Sequence, residues 1–506
     1  MFYIADRSEM QEIDRLTIED RGIPGILLME RAAVSVLEEL NSICKKKNIS
    51  GPKRCLIVVE GGNNGGDGLA LARQLYQQGD MVDVCYIHGI SRVSDSFTYQ
   101  LDIVKKLGIS VTDRIGSDKY DIVVDGIFGV GLKRDIGGIW KDTIGIMNSM
   151  QGLKLAIDMP SGVDASSGQI RGCAFRADVT VTFGLEKRGL IFYPGCNMAG
   201  NVIVRDIGFA DSEISRVSPV SYSYDDTDLV RLPKRTDSSN KGTYGKLAVI
   251  AGSRDMSGAM TFAAEAAYRM GVGLVKVYTH ENNRNIVGIK VPEAVLMCYG
   301  DEKEAEQCAE NARDWADTIL IGPGIGKDEA SKLMVRYILC ECEQPVVADA
   351  DALNIISENK DILRYHRGPV TITPHVGEMS RLAGMAVPDI KNNILEVCKG
   401  FAMEYNVINV LKDARTCVSS GTEDVYINTS GNNGMSTAGA GDVLAGIIAG
   451  LECLGMAAYE AAKLGVYIHG RAGDEAAKYR GKSSMIARDI VNAIPQVIKG
   501  AGHEQL

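Results

Sequence analysis

The sequence predicts two α/β domains in tandem, each built on a largely parallel sheet, and three observations carry that reading. The chain has 506 residues, against roughly 100 to 150 for a typical single domain, so at least two cores are expected. Hydrophobic residues supply 45% and charged residues 24%, ordinary globular proportions that exclude a mostly disordered or fibrous chain. Short β-branched runs alternate with helical stretches, and many of the 56 glycines follow directly on an apolar run, which is how strands end in βαβ units.

Taken in order, 8–40 reads as helical, with Met10, Ile13, Leu16 and Ile18 apolar and a second segment over 26–40 after Pro24 and Gly25. Strands follow at 55–59, 82–87, 122–124, 155–157, 179–183 and 202–204, with helices such as 69–78 and 98–107 between several of them. The stretch 211–240 turns polar and irregular, which puts a boundary near 211–226 and domains at 1–215 and 226–506. A second α/β series then runs through strands at 247–251, 274–278, 319–321, 346–348, 370–372 and 407–411. Helices over 442–454, 457–477 and 487–498 close the chain. No internal repeat is visible, so the two halves are different domains.

Charge and cysteine usage narrow the function. Lys and Arg number 55 against 65 Asp and Glu, a net charge of −10, and the longest basic run is 45–47, so no nucleic-acid partner is expected. The opening MFYIADRSEMQEID carries charges throughout and lacks the apolar stretch of a signal peptide or spanning helix, which predicts a soluble, cytoplasmic protein with no membrane partner. Twelve scattered cysteines, the closest pair being Cys340 and Cys342, offer neither a metal knuckle nor a disulfide framework, and reduced, mostly buried thiols are expected. The apolar stripes of the helical prefix and the C-terminal helices lead us to expect a homo-oligomer, although intrachain core explains them equally.

The chemistry concentrates at strand ends. EGGNNGGDG, over 60–68, follows a strand and opens a helix, where glycine N–H groups can approach a phosphate, giving a Rossmann-like reading. The spacing is not G-x-G-x-x-G, and Asn63, Asn64 and Asp67 add oxygens that a plain pyrophosphate loop does not need; a glycine-rich turn with capping Asn residues is the simpler alternative. Asp125 leads into GIFGVGLKR at the next strand end, and Asp158 opens DMPSGVD. In an open parallel sheet such loops converge on one crevice. Oxygen ligands without His or Cys suit a hard cation, and Lys133, Arg134 and glycine N–H groups suit phosphates.

Together, LLMERAA, NNGGDG, DGIFGVGLKR and DMPSGVD resemble the NAD(P)H-hydrate epimerase domain over roughly 1–210. The resemblance implies a Rossmann-like parallel α/β sandwich and a potassium ion held by Asn64, Asp125 and Ser161. It implies contacts to the hydrated dinucleotide from Asn63, Asn64, Gly65, Gly66 and Asp67, from Gly129, Val130, Gly131, Leu132, Lys133, Arg134 and Asp135, and from Asp158. Asp158 or a neighbouring carboxylate would assist proton transfer at the hydrated nicotinamide ring. Two residues depart from the family pattern, Glu60 for a usual glycine and Asp135 for a usual proline.

The second half carries NNGMSTAGAGD over 432–442, directly before an apolar helix. Small residues and exposed N–H groups at a helix start form an anion hole, and Asp442 there either takes a proton from a hydroxyl being phosphorylated or merely caps the helix. KDART over 412–416 offers a cation and a hydroxyl to nucleotide phosphates, while Asp349 and Asp351 either hold magnesium or cap the next helix, and His375 either caps or acts. NKGTYGKLAVIAGS, GPGIG, DADALN, TPHVGEMSRL and NNGMSTAGAGDVLAG resemble the ribokinase-like superfamily, and within it the ADP- or ATP-dependent NAD(P)H-hydrate dehydratase domain, over roughly 226–500. The resemblance implies substrate contacts at Ala259, Gly324, His375 and Asp442, with Asp442 as base. The adenine nucleotide, ADP or ATP with magnesium, would be held by Lys412, Asp413, Ala414, Arg415, Thr416 and Gly441. Asp413 stands where a glycine is common, and its charge should penalise the more highly charged nucleotide.

The function these resemblances imply is repair of hydrated NADH and NADPH, by epimerisation of the R and S forms in the first half and nucleotide-dependent dehydration of the S form in the second. A small-molecule kinase of the hydroxymethyl-pyrimidine or vitamin type, with an accessory N-terminal ligand-binding domain, is the alternative, because GAGD is shared across the superfamily. A third reading, an N-terminal binding module without turnover, has no need for the four converging oxygens of Asn64, Asp125, Asp158 and Ser161.

Overall fold

A computed structural model describes residues 1–87, 93–116, 119–422 and 424–499; the last seven residues of the expected second domain lie outside these. The chain divides into two compact units, Tyr3–Val220 and Ser221–Leu506, with Met1–Phe2 belonging to the second.

In the first unit seven parallel strands run in the spatial order Ser110–Thr112, Met81–Tyr86, Arg54–Val59, Ile122–Gly126, Leu153–Ile157, Val179–Phe183 and Asn201–Arg205. The central strand shows why it forms. Ile57 and Val59 pack with Met29, Val36 and Leu40 of the helix Gly25–Lys46 and with the helix Asn63–Gln77. Leu56 and Val58 face the other way, onto Trp140, Ile144 and Met147 of the helix Ile139–Ser149. Period-two alternation with both faces apolar is the signature of a parallel sheet covered on both sides. Strand order reverses between Arg54–Val59 and Ile122–Gly126, and ligands bind such sheets outside the carboxyl ends at that switch point.

The second unit repeats the logic with more strands. Val295–Tyr299, Leu274–His280, Lys246–Ile250, Thr318–Ile321, Val346–Ala348, Val370–Ile372 and Ile408–Leu411 are parallel, and Cys417–Ser419 runs antiparallel beside the last. Val425–Ile427 and Ser221–Ser223 extend the edge. The order reverses between Lys246–Ile250 and Thr318–Ile321, and the helices Ser257–Met270 and Ala440–Cys453 pack closely together, Gly446 having no room for a side chain against Ala263.

Three expectations need correcting. The polar stretch 211–240 is not uniformly irregular: it holds the helix Asp211–Val217, the strand Ser221–Ser223 and the 3₁₀ turn Asp226–Arg231. Buried anchors, among them Ser221, Tyr222 and Tyr224, order it. The strands Val295–Tyr299, Cys417–Ser419 and Val425–Ile427 escaped the sequence reading, being short or half-exposed. Finally, the Asn-rich motif is not a loop before a helix that starts at residue 69: Gly62 is the N-cap and the helix begins at Asn63. A Cβ on Gly66 would lie 2.4 Å from Met29 Cε of the helix Gly25–Lys46 and one on Gly68 would lie 2.8 Å from Val59, so glycine lets this helix sit directly on the neighbouring helix at one position and on the strand at the other.

Candidate active sites

In the first unit the predicted loops meet. A cavity of about 590 Å³ lies beyond the carboxyl ends of the central strands, lined by Asn63, Asn64, Asp67, Gly129, Val130, Gly131, Leu132, Lys133, Arg134 and Asp158. Gly65 and Gly66 are buried behind this wall, and Gly65 is held by packing, because a Cβ there would fall 1.7 Å from the Glu60 carbonyl oxygen. Asp135 is exposed and is not part of the lining, unlike the adjacent Lys133 and Arg134. Glu60 does line the cavity; its Oε2 accepts from the Gly62 N–H at 3.1 Å, while its Oε1 is buried without a partner.

Asp158 holds the centre. Its Oδ1 accepts from Lys187 Nζ at 2.7 Å and from Thr182 Oγ1 at 3.1 Å, and its Oδ2 accepts from the Val130 N–H at 3.2 Å. Lys187, 1% exposed, also donates to Thr182 Oγ1 and the Phe183 carbonyl. Asp158 has φ +62°, a left-handed conformation that costs a non-glycine residue about 1–3 kcal/mol and persists only where its surroundings fix it. Two further carboxyls line the same space: burial and the Asp158 charge push Asp67 well above the ordinary carboxylate range, and burial raises Asp14.

Beside this lies an oxygen-rich cluster. Asp125, fully buried, accepts from Ser161 Oγ at 2.6 Å and from the Ser161 N–H at 2.7 Å, and burial raises its carboxyl to about 6. Ser161 Oγ in turn accepts from the Phe128 N–H at 2.9 Å. Both side-chain polar atoms of Asn64 are buried without a hydrogen-bond partner. A Cβ on Gly129 would sit 3.1 Å from both Asn64 Oδ1 and Asp158 Oδ2, so the glycine allows this close approach.

The second unit gathers its residues around Asp349, which is 1% exposed. Its Oδ1 accepts from Lys412 Nζ at 2.8 Å and from Thr373 Oγ1 at 2.6 Å. Asp349 is therefore a partner for a buried cation rather than a helix cap; Asp351 opens the helix Asp351–Glu358, and its Oδ2 accepts from the Gly326 N–H at 3.0 Å. Lys412 lies against Gly441, where a Cβ would fall 3.4 Å from its Nζ. Burial pulls the Lys412 ammonium down, but Asp349, Glu378 and Asp442 outweigh it and the net shift is upward. Asp442 stands in the first turn of Ala440–Cys453, and burial with the neighbouring Asp349 charge raises its carboxyl to about 7, against the opposing pull of Lys412. A carboxyl in that range is matched to general-base work near neutrality.

His375 is the N-cap of Val376–Ala383: its Nδ1 accepts from the N–H groups of Gly377 and Glu378, and burial with nearby Lys412 lowers its pKa. Its other ring nitrogen therefore carries the proton, and it faces Glu378 Oε1 at 3.4 Å. Ala259 and Gly324 abut, a Cβ on Gly324 falling 3.0 Å from the Ala259 Cβ. Asp413 faces Lys391 at 3.7 Å, Arg415 donates to the Thr429 carbonyl at 3.1 Å, and Thr416 Oγ1 lies 3.5 Å from the Asp413 carbonyl. The strand register that brings His375 beside Lys412 links this nucleotide-side segment, which continues through Ala414, to the Asp349 cluster.

The sequence reading missed Asp14 and Lys187 at the first site and Glu378 at the second. Glu378 is buried and raised to about 7. A lone Lys after a strand or an Asp on an amphipathic helix carries no local signal; only the cavity reveals them. Among the described residues no helix is long and apolar enough to cross a membrane.

Comparison with known proteins follows this division. A family profile described as YjeF-related protein N-terminus matches residues 26–189, and one described as NAD(P)H-hydrate dehydratase matches 247–496. A bifunctional NAD(P)H-hydrate repair enzyme of Moorella thermoacetica is 35% identical, over 99% of this chain and 98% of its own. The enzyme of that name from Escherichia coli K12 is 31% identical over 88% of this chain and 84% of its own. A crystal structure of the ADP/ATP-dependent NAD(P)H-hydrate dehydratase of Bacillus subtilis, co-crystallised with ATP and Mg²⁺, is similar with a TM-score of 0.50 and 29% identity, over 55% of this chain and 97% of that one.

Proposed function

The chain belongs to the bifunctional NAD(P)H-hydrate repair enzymes, which interconvert the R and S forms of NAD(P)H hydrate and dehydrate the S form at the expense of ADP or ATP, and we propose that its two sites divide that work between the two units. Matches that span both halves speak against the small-molecule kinase alternative, which left the first half unexplained.

The first unit carries the epimerase. Carbon 6 of the hydrated ring bears the hydroxyl whose configuration must invert, so the site needs groups that hold and move protons at that oxygen. Asp158, fixed by Lys187, Thr182 and the Val130 N–H, is the carboxylate placed for it. Asn63, Asn64 and Asp67, with the 129–134 loop, contact the dinucleotide. Asn64, Asp125 and Ser161 would hold a potassium ion: carboxylate, hydroxyl and amide oxygens suit a hard cation, and the buried Asn64 oxygen lacks any other partner. Bound there, the ion would supply positive charge beside the phosphate-binding loops.

The second unit carries the dehydratase, and the observation that supports it best is the buried Asp442 carboxyl at about 7 beside Lys412 and Gly441. Asp442 takes the proton of the carbon 6 hydroxyl as the terminal phosphoryl group of the nucleotide transfers to its oxygen. The ring-nitrogen lone pair then expels phosphate, forming a double bond to carbon 6, and loss of a proton from carbon 5 to solvent returns that pair to nitrogen and restores the reduced nicotinamide. Lys412, with 413–416 and Gly441, positions the nucleotide, accompanied by magnesium, while Ala259, Gly324 and His375 contact the hydrated ring.

The test is recovery of reduced-nicotinamide absorbance from separately purified epimers. The S form should recover only when ADP or ATP with magnesium is added, and the R form should recover at the epimerisation rate. Nucleotide-dependent phosphorylation of a vitamin precursor, with no recovery from either epimer, would overturn the reading.

A further inference from the structure

The helix Arg7–Arg15 forms a wall of the epimerase cavity, contributing Met10, Gln11 and Asp14, with Ile18 following from the next turn. Several ties hold this helix over the site. The strand Phe2–Ala5 pairs with Glu186–Lys187, Ala5 standing opposite Lys187. Arg188 bridges Asp6 and Glu9 at 3.3 and 3.2 Å, and Arg7 reaches Asp164 at 2.8 Å and the Val130 carbonyl at 3.0 Å. The residues on either side of the helix start are thus tied to the segment that carries Lys187 and to the loop that bonds Asp158. Asp14, two turns along, lines the same cavity as the Asp158–Lys187 pair, from a separate element.

Inversion at carbon 6 sets a requirement that one carboxylate does not meet. The hydroxyl must leave with a proton from one group, and water must return to the other face while losing a proton to another. Building on the assignment of the epimerase to this cavity, we infer that Asp14 is the second catalytic group of the epimerase, exchanging acid and base roles with Asp158 across the hydrated ring. In one direction the Asp14 carboxyl protonates the hydroxyl, the bond from carbon 6 to oxygen breaks, and the ring-nitrogen lone pair forms a double bond to carbon 6. Water then adds to the opposite face, the carbon–oxygen bond re-forms, the electron pair returns to nitrogen, and the spare proton passes to Asp158. The reverse turnover restores both groups, and in net conversion Asp158 releases its proton to solvent and Asp14 takes one up after product leaves.

The environments of the two carboxyls differ as this requires. Asp158 is in an ion pair with Lys187, whereas burial and the Asp158 charge raise Asp14, opposed by Lys187. The other charged groups lining the cavity are Asp67 on the helix Asn63–Gln77, Glu60, and Lys133 and Arg134.

The experiment follows interconversion of purified epimers without nucleotide, in heavy-oxygen water, for the wild type and for Asp14→Asn, Asp67→Asn and Asp158→Asn. Asp14→Asn should slow epimerisation about 100-fold or more with little change in substrate affinity. It should also lose the fall in rate that the wild type shows as pH rises through the raised Asp14 ionisation, and Asp14→Gly should regain rate with added formate. Label should enter the hydrate at the rate of epimerisation. An Asp14→Asn rate within about twofold of wild type, an equal loss confined to substrate affinity, or transfer of the alkaline limb to Asp67→Asn would each overturn the inference. Full activity in Asp158→Asn would instead overturn the assignment of this cavity as the epimerase.

Discussion

Both units place a buried Asp–Lys pair at the carboxyl ends of parallel strands, yet they use it differently. In the first unit the paired aspartate, Asp158, faces the cavity, and the raised carboxyls Asp14 and Asp67 surround it. In the second the paired aspartate, Asp349, is the support, and the reactive carboxyl, Asp442, stands apart with its pKa near 7. Burial and the neighbouring Asp349 charge raise Asp442 even against the pull of Lys412, as burial and the Asp158 charge raise Asp14 against Lys187. The contrast matches the chemistry: inversion needs an acid and a base together, whereas phosphoryl transfer from a nucleotide needs one base and cations for phosphate.

The sharpest way to separate the sites is Asp442→Asn. We expect nucleotide-dependent dehydration to fall by roughly 100- to 10,000-fold while epimerisation is unchanged; loss of both activities with the fold intact would break the two-site comparison. In the wild type, dehydration should rise with pH as Asp442 ionises at about 7. Stability should move the other way. Asp442, Glu378 and Glu452 all hold a proton up to about 7 in the native state but release it near 4 to 4.5 when unfolded, so folding of this unit loses stability as pH climbs between those limits. Denaturant titrations across that interval measure the effect.

Lys187→Met tests the other pair. It strands Asp158 in a buried site and should destabilise the first unit by about 3–5 kcal/mol and abolish epimerisation, with dehydration of the S form as the internal control. Gly65→Ala should cost about 1–3 kcal/mol, because its Cβ would collide with the Glu60 carbonyl. Gly131→Ala, with open space around it, should stay within about 0.5 kcal/mol, and thermal unfolding of the two glycine variants measures the difference. The smallest effect is expected at Asp413. Lys391 already faces its carboxylate at 3.7 Å, so Asp413→Gly should shift relative specificity towards ATP by only about threefold or less, read from kcat/KM for the two nucleotides.

The sequence alone determined the two parallel α/β units, their strand-end loops and the candidate groups on them, because these features are local. Apolar runs of period two, glycines after strands, and motifs such as NNGGDG and GAGD are written in consecutive residues. Cys417–Ser419 was illegible because Val418 is its one β-branched residue, whereas the equally short Val346–Ala348 and Val370–Ile372 carry two or more. Tertiary structure alone decided which side chains become partners. Lys187 with Asp158 is a pairing across 29 residues and Lys412 with Asp349 one across 63, while the helix that carries Asp14 is held at the cavity by Arg7 and Arg188 and by the packing of Met10 and Ile13. Burial and charge pairing at such distances arise from packing between elements, so no window of sequence could have supplied them.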